Sequence, residues 1–206
     1  MKQVHDQTPF WDGTAAKYIL RPVGDVAAYE HKVAVTQGFL RPDMRVLEIG
    51  CGSGNTARRH APLVAEYLAT DLSGEMIRLG KAEGPIPPNM RFEQGNFDEM
   101  PLADGSFDAV LALSLLHLVP DPAATIAKIA RVLTPGGVFV SSSAMVGEVW
   151  LARLLLPLGQ LIGKAPHVAM LKRDRFRQMI RDAGFEILVD ETPGSKLTLF
   201  VVARKL

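Results

Sequence analysis

Cysteine occurs once in these 206 residues, as Cys51. That excludes an intrachain disulfide and any zinc site built on paired cysteines. No other metal-ligand spacing stands out, so no metal is expected, and a reducing, cytoplasmic setting suits such a chain. Net charge is nearly absent too. The 23 Lys+Arg against 22 Asp+Glu leave +1, too little for a nucleic-acid coat, although Lys172-Arg173-Asp174-Arg175-Phe176-Arg177 forms a local basic run. Long apolar runs are missing. The richest, Val149 to Gly163, is interrupted by Arg153, Pro157 and Gln160. It falls short of the roughly 20 residues a spanning helix needs, so no stable membrane span is expected. The first residues lack a basic segment followed by an apolar core, which argues against a signal peptide. Without repeats, low-complexity linkers or a shift in composition, residues 1–206 read as a single domain,.

Apolar side chains are plentiful: 48% hydrophobic and 22% charged residues suffice for a full core. Short apolar strands are expected at Arg45–Ile49, Glu66–Thr70, Met90–Gln94, Phe107–Leu113 and Gly137–Ser142, with helices between them. Ile126, Ile129, Ala130 and Leu133 recur at helical spacing behind Pro122, with Pro135-Gly136-Gly137 as the stop,. Phe176, Met179, Ile180 and Ala183 repeat the pattern before Gly184. Two final strands, Phe185–Glu191 and Leu197–Arg204, flank the turn Thr192-Pro193-Gly194-Ser195,. Alternating strands and helices predict an α/β fold: a doubly wound, Rossmann-like sheet, mostly parallel, with one antiparallel strand from the C-terminal hairpin.

The most informative stretch is Val46-Leu47-Glu48-Ile49-Gly50-Cys51-Gly52-Ser53-Gly54-Asn55. An apolar strand stops at three alternating glycines, which tolerate positive φ and let backbone approach a ligand closely. The helix that follows offers free N–H groups. Glu48 lies inside the apolar run, where a charge needs a partner. Gly52-Ser53-Gly54-Asn55-Thr56-Ala57 also fits the looser dinucleotide fingerprint, which by itself does not separate a nicotinamide cofactor from other adenosine ligands.

Ligands of such sheets lie at the carboxyl ends of the strands. Asp71, ending the second strand, is spaced to accept hydrogen bonds from ribose hydroxyls; the plainer reading has Asp71 or Ser73 capping the next helix. Asn96 and Phe97 end the third strand, with an amide suited to an adenine edge and a ring to flank it. Ser114 and His117 follow the fourth. His117 is the candidate base, against the plainer role of a packed histidine bonded to backbone. Cys51 stands beside the cofactor loop without a partner base, so it reads as a lining residue and not as a nucleophile.

These segments together resemble the class I S-adenosylmethionine-dependent methyltransferases of the small-molecule type, from about Phe10 onward. Val46–Gly54 is similar to the family's first motif and Ala69-Thr70-Asp71-Leu72-Ser73 to its ribose motif. Met100–Asp108, Leu116-His117-Leu118 and Arg131-Val132-Leu133-Thr134-Pro135-Gly136-Gly137 are similar to later ones. The resemblance implies a seven-stranded sheet and S-adenosylmethionine as cofactor, with S-adenosylhomocysteine as product. It implies Gly50, Gly52 and Gly54 along the methionine and ribose, and Glu48 anchoring the loop or reaching the cofactor ammonium through water. Asp71 would take the ribose hydroxyls, Leu72 and Met76 would lie against adenine, Asn96 and Phe97 would address it, and Ser114 would meet the methionine. Asn96 stands where relatives often carry Asp, and His117 is single where many carry two histidines.

Two segments are left to shape the acceptor site. The resemblance implies that residues 1–40 form a helical cap in which Tyr18 closes over the cofactor; the plainer reading is a packed surface helix. Residues 143–171 form an apolar insertion read as a lid; Trp150, Leu154, Leu155, Leu158, Leu161 and Ile162 could line a pocket, make a homodimer face or touch a membrane surface. The expected acceptor is a small apolar or aromatic metabolite. A nucleic-acid acceptor is disfavoured, because the chain lacks the Asn/Asp-Pro-Pro-Tyr tetrad and a Pro-Cys nucleophile. The alternative is a non-catalytic protein binding S-adenosylmethionine or S-adenosylhomocysteine. A nicotinamide oxidoreductase fits poorly with Glu48, Pro135-Gly136-Gly137 and the closing hairpin.

Overall fold

The computed structural model describes residues 6–152, 156, 160 and 165–206. Helices α1 (Thr8–Ile19) and α2 (Val26–Gln37) precede β1 (Arg45–Ile49). Then come α3 (Asn55–His60), β2 (Glu66–Asp71), α4 (Gly74–Ala82), β3 (Met90–Gln94), β4 (Phe107–Leu113), α5 (Pro122–Val132) and β5 (Leu133–Ala144). Arg173–Asp182 forms α6, followed by β6 (Phe185–Glu191) and β7 (Thr198–Lys205).

One seven-stranded sheet runs β3-β2-β1-β4-β5-β7-β6. The β1, β2, β3, β4 and β5 neighbours pair in parallel, and β7 runs antiparallel to both β5 and β6. The expected doubly wound sheet with one reversed strand is therefore present. Central strands have continuous burial, as in β1 and β4, while β6 at the edge alternates half-buried and exposed after Phe185; strands covered on both faces lose the alternating pattern. One face packs Ile126 and Ile129 of α5 and Phe176 and Ile180 of α6 on Leu47, Val110 and Phe139. The other packs Ala57 of α3, Ile77 of α4 and Val35 of α2 on Val46, Leu111 and Val202.

The helix starts follow their side chains. Asp25 accepts the Ala28 N–H at α2, Ser73 Oγ accepts the Met76 N–H at α4, and Asp121 Oδ1 accepts the Ala123 and Ala124 N–H groups at α5,. Leu133 departs from the helical spacing. It turns extended (ψ 142°) and opens β5 opposite Phe107, because Pro135 lacks the N–H that a continued helix needs and biases Thr134 away from helical backbone. Within the basic run, Arg173 pairs with Glu148, and Arg177 with Asp174 and Asp190. Trp150 is exposed; Leu154, Leu155, Leu158, Leu161 and Ile162 lie outside the described residues. No helix among the described residues is long and apolar enough to cross a membrane.

Candidate cofactor site

β1 ends on the sheet's carboxyl edge between β2 and β4, where the chain reverses its direction of travel across the sheet, the switch point at which open α/β sheets bind ligands. Gly50, Gly52 and Gly54 all have positive φ, at 67°, 57° and 78°. Their reasons differ. A Cβ on Gly50 would stand 2.7 Å from Leu115 Cδ1, and on Gly54 2.5 Å from Phe92 Cζ. A Cβ on Gly52 would meet nothing within 4 Å: this glycine faces open space. Cys51 is buried, its N–H donates to Thr70 O at 2.9 Å, and burial pushes its thiol well above the ordinary range. A neutral, buried thiol is no nucleophile.

Two cavities meet at this loop. The first, about 670 Å³, is bordered by Asp71, Leu72, Met76, Asn96, Phe97 and the α1 residue Trp11. The second, about 510 Å³, runs between α2 and the sheet past Glu48, Cys51 and Ser142. Tyr18, Gly50, Gly52, Leu113 and Ser114 border both. Ser114 is the single non-glycine among the described residues with positive φ, 59°. Its N–H donates to Ser142 O at 2.6 Å, which holds the strained turn at this junction.

Asp71 Oδ2 accepts the Gly52 N–H at 2.8 Å and Oδ1 accepts the Ser73 N–H at 2.9 Å. The carboxylate thereby ties the glycine loop to the start of α4, each oxygen retains a further lone pair, and the residue borders the first cavity,. Burial raises its pKa, the two backbone N–H bonds acting against that. Both amide ends of Asn96 have local partners: Nδ2 donates to Glu99 Oε1 at 3.0 Å and Oδ1 accepts from Asp98 N at 3.2 Å. Asn96 thus shapes its own turn, and Asp98 stands on the same cavity wall, exposed, its Oδ1 accepting from Thr125 Oγ1 at 3.0 Å. Lys128 of α5 fixes that turn by donating to Phe97 O and Met100 O at 2.5 and 2.8 Å.

Glu48 is 2% exposed. Its Oε2 accepts the Tyr67 hydroxyl at 2.6 Å, and burial drives its pKa up to about 7 despite that bond. His117 borders neither cavity. Its Nδ1 accepts the Ala144 N–H at 3.3 Å, and burial lowers its pKa to about 4. Nδ1 of His117 thus holds the backbone at the end of β5.

Sequence reasoning missed Gln7, Asp12, Asp98 and Lys32. Gln7 Nε2 donates to Leu118 O and its Oε1 accepts from His167 N. Asp12 Oδ1 accepts from Ser73 Oγ and Glu75 N. The two side chains clasp α1 across the mouth of the first cavity. Nothing in their spacing signals this, because both contacts span long stretches of chain; only an acid facing one side of α1 hints at it.

Residues 47–141 match the family model of the methyltransferase domain. A sterol 24-C-methyltransferase of Gibberella zeae is 32% identical over 180 residues, covering 81% of this chain and 45% of that one. These matches support a class I S-adenosylmethionine-dependent methyltransferase domain. A ubiquinone biosynthesis O-methyltransferase of Xanthomonas campestris is 36% identical over 127 residues, covering 55% of this chain and 53% of the relative. The chain spans about half the length of the curated relatives it matches. An S-adenosylmethionine-dependent methyltransferase from Mesorhizobium loti shares the fold at TM-score 0.71 and 22% identity, covering 86% of this chain and 98% of that one. That shared fold agrees with the seven-stranded sheet and the reversed β7 seen here.

Proposed function

We propose that the protein transfers the methyl group of S-adenosylmethionine to a small-molecule acceptor. The observation that carries this reading is Asp71, held by Gly52 and Ser73 with lone pairs free, beside the one loop glycine that faces open space. The residues fit the cofactor. The gap at Gly52 admits a ligand against backbone, Asp71 suits a ribose diol, and Met76 with buried Phe97 suits the faces of adenine. Asp98, in place of Asn96, supplies a carboxylate toward an exocyclic amine. The strained Ser114 turn, bordering both cavities, serves the methionine end, and Glu48 anchors the glycine loop.

The bound cofactor supplies a methyl already activated on a sulfonium. The chain's task is to hold an acceptor in line with it and exclude water. Tyr18, bordering both cavities, covers the junction, and the Gln7 and Asp12 contacts keep α1 closed over the first cavity. We place the acceptor among small apolar or aromatic molecules, on the composition of residues 143–171. Incubation with labelled S-adenosylmethionine and a panel of small aromatic and apolar metabolites tests this. Label in at least one acceptor is expected, and its loss in Asp71→Ala. Tight cofactor binding with no label transferred would favour the non-catalytic alternative.

A further inference from the structure

The second cavity has a use that the cofactor leaves open. It shares only its mouth with the first, at Tyr18, Gly50, Gly52, Leu113 and Ser114, and continues from there between α2 and the strand ends of β5 and β7. A donor lying in the first cavity would present its reactive end at that shared mouth, so a molecule in the second would meet it there. About 510 Å³ is within the range of small-ligand sites.

Its wall is polar in a specific way. Lys32, on α2, is half-buried and borders the cavity; among the described residues its Nζ reaches only Ser142 Oγ, at 3.4 Å. Among the described residues no carboxylate pairs with it: Asp25, the acid nearest in effect, caps α2 through the Ala28 N–H. A half-buried ammonium without a counter-ion is costly. His60, fully buried, borders the same cavity with neither ring nitrogen hydrogen-bonded. Unmatched buried polar groups of this kind mark a place where a polar partner belongs. Hydroxyls of Ser142 and Thr198 border it as well, and Arg21 stands at its exposed rim.

Resting on the methyltransferase reading above, we propose that the second cavity is the acceptor chamber and that Lys32 selects an acceptor bearing a carboxylate. Among the described residues Lys32 is the one half-buried cation on the wall and is flanked by a serine hydroxyl, which matches a monoanion; Arg21, the other cation bordering the cavity, stands exposed at the rim, where water screens it,. The acceptor is then an apolar or aromatic body with its acid group toward α2 and its reacting atom toward Ser114.

The test uses the full chain saturated with S-adenosylhomocysteine and a calorimetric panel of small carboxylic acids, each paired with its primary amide: benzoate, phenylacetate, cinnamate and hexanoate. At least one acid is expected to bind at least about tenfold more tightly than its amide, the scale of one charge-assisted hydrogen bond. Lys32→Met should abolish that preference and Lys32→Arg should restore part of it, with S-adenosylhomocysteine affinity unchanged in both. Equal binding of acids and amides, or no binding by any acid, overturns the proposal. So does a Lys32→Met chain that loses affinity for S-adenosylhomocysteine but not for 5′-methylthioadenosine, because Lys32 would then hold the cofactor's own carboxylate. Failure of S-adenosylhomocysteine to bind the wild-type chain is a separate result: it would sink the methyltransferase reading itself.

Discussion

Glu48, buried inside β1, and Asp71, half-buried at the end of β2, are set apart by their surroundings. Glu48 has one donor, Tyr67, and a pKa raised by burial to about 7; Asp71 has two backbone donors that oppose its desolvation. A folded-state pKa above the unfolded value means that the folded chain binds more protons. Glu48 therefore contributes stability that is full below about pH 4.5 and lost as pH rises through about 7,. Glu48→Gln keeps an acceptor for Tyr67 and cannot ionise. Its thermal midpoint relative to wild type should rise from pH 5 to pH 8, by differential scanning calorimetry of the cofactor-free chain; a pH-independent difference would show that Glu48 does not titrate there. Asp71→Ala should weaken S-adenosylhomocysteine binding by about 10- to 150-fold, the equivalent of about 1.5–3 kcal/mol for hydrogen bonds to a charged group. Both acids were legible from sequence because each interrupts an apolar strand or ends one. The partners of Asn96 were not, since an amide's local turn bonds leave no trace in composition.

At the scale of elements, the glycines divide by what surrounds them. Gly52→Ala adds a methyl to open space at a φ of 57°, so its stability cost should stay near the 1–2 kcal/mol of left-handed backbone while ligand affinity falls sharply. Gly80→Ala puts a Cβ 2.5 Å from Ser53 O, where α4 packs on the loop. Backbone must move there, and the expected loss is in folding stability, by more than about 2 kcal/mol. Denaturant titration paired with calorimetry separates the two, and equal effects on both quantities in both variants would contradict this division. The α1 clasp is a third element-scale device. Gln7→Ala and Asp12→Ala should each speed S-adenosylhomocysteine release several-fold, in stopped-flow displacement, with little change in unfolding midpoint. The clasp was invisible in the sequence because its partners, Leu118, His167, Ser73 and Glu75, are distant in chain order. The strand set was legible because buried parallel strands read as short apolar runs; the end of α5 slipped by one residue because buried Leu133 keeps the helical apolar spacing while Pro135 ends the helix before it,.

For the molecule as a whole, the sheet order places every site element on one edge: β1 and β2 carry Gly50 and Asp71, β4 and β5 carry Ser114 and Ser142. The reversed β7 joins β5 along seven registered pairs and is buried from Leu199 to Ala203, so the closing hairpin belongs to the core. Phe200→Ala should cost about 3–5 kcal/mol without a selective loss of cofactor affinity, measured by chemical denaturation. The two cavities on either side of the glycine loop could not be read from the chain, since their walls draw on α1, α2 and the β6–β7 turn together. The fold and family were legible because five short motifs fall in order along one sheet. The most direct test is titration calorimetry of the wild-type chain and Asp71→Ala with S-adenosylhomocysteine and with NAD. Saturable 1:1 binding of S-adenosylhomocysteine to the wild type, weakened in Asp71→Ala, with no heat from NAD, is the expected result; binding of NAD in preference to S-adenosylhomocysteine, or of neither, would contradict it.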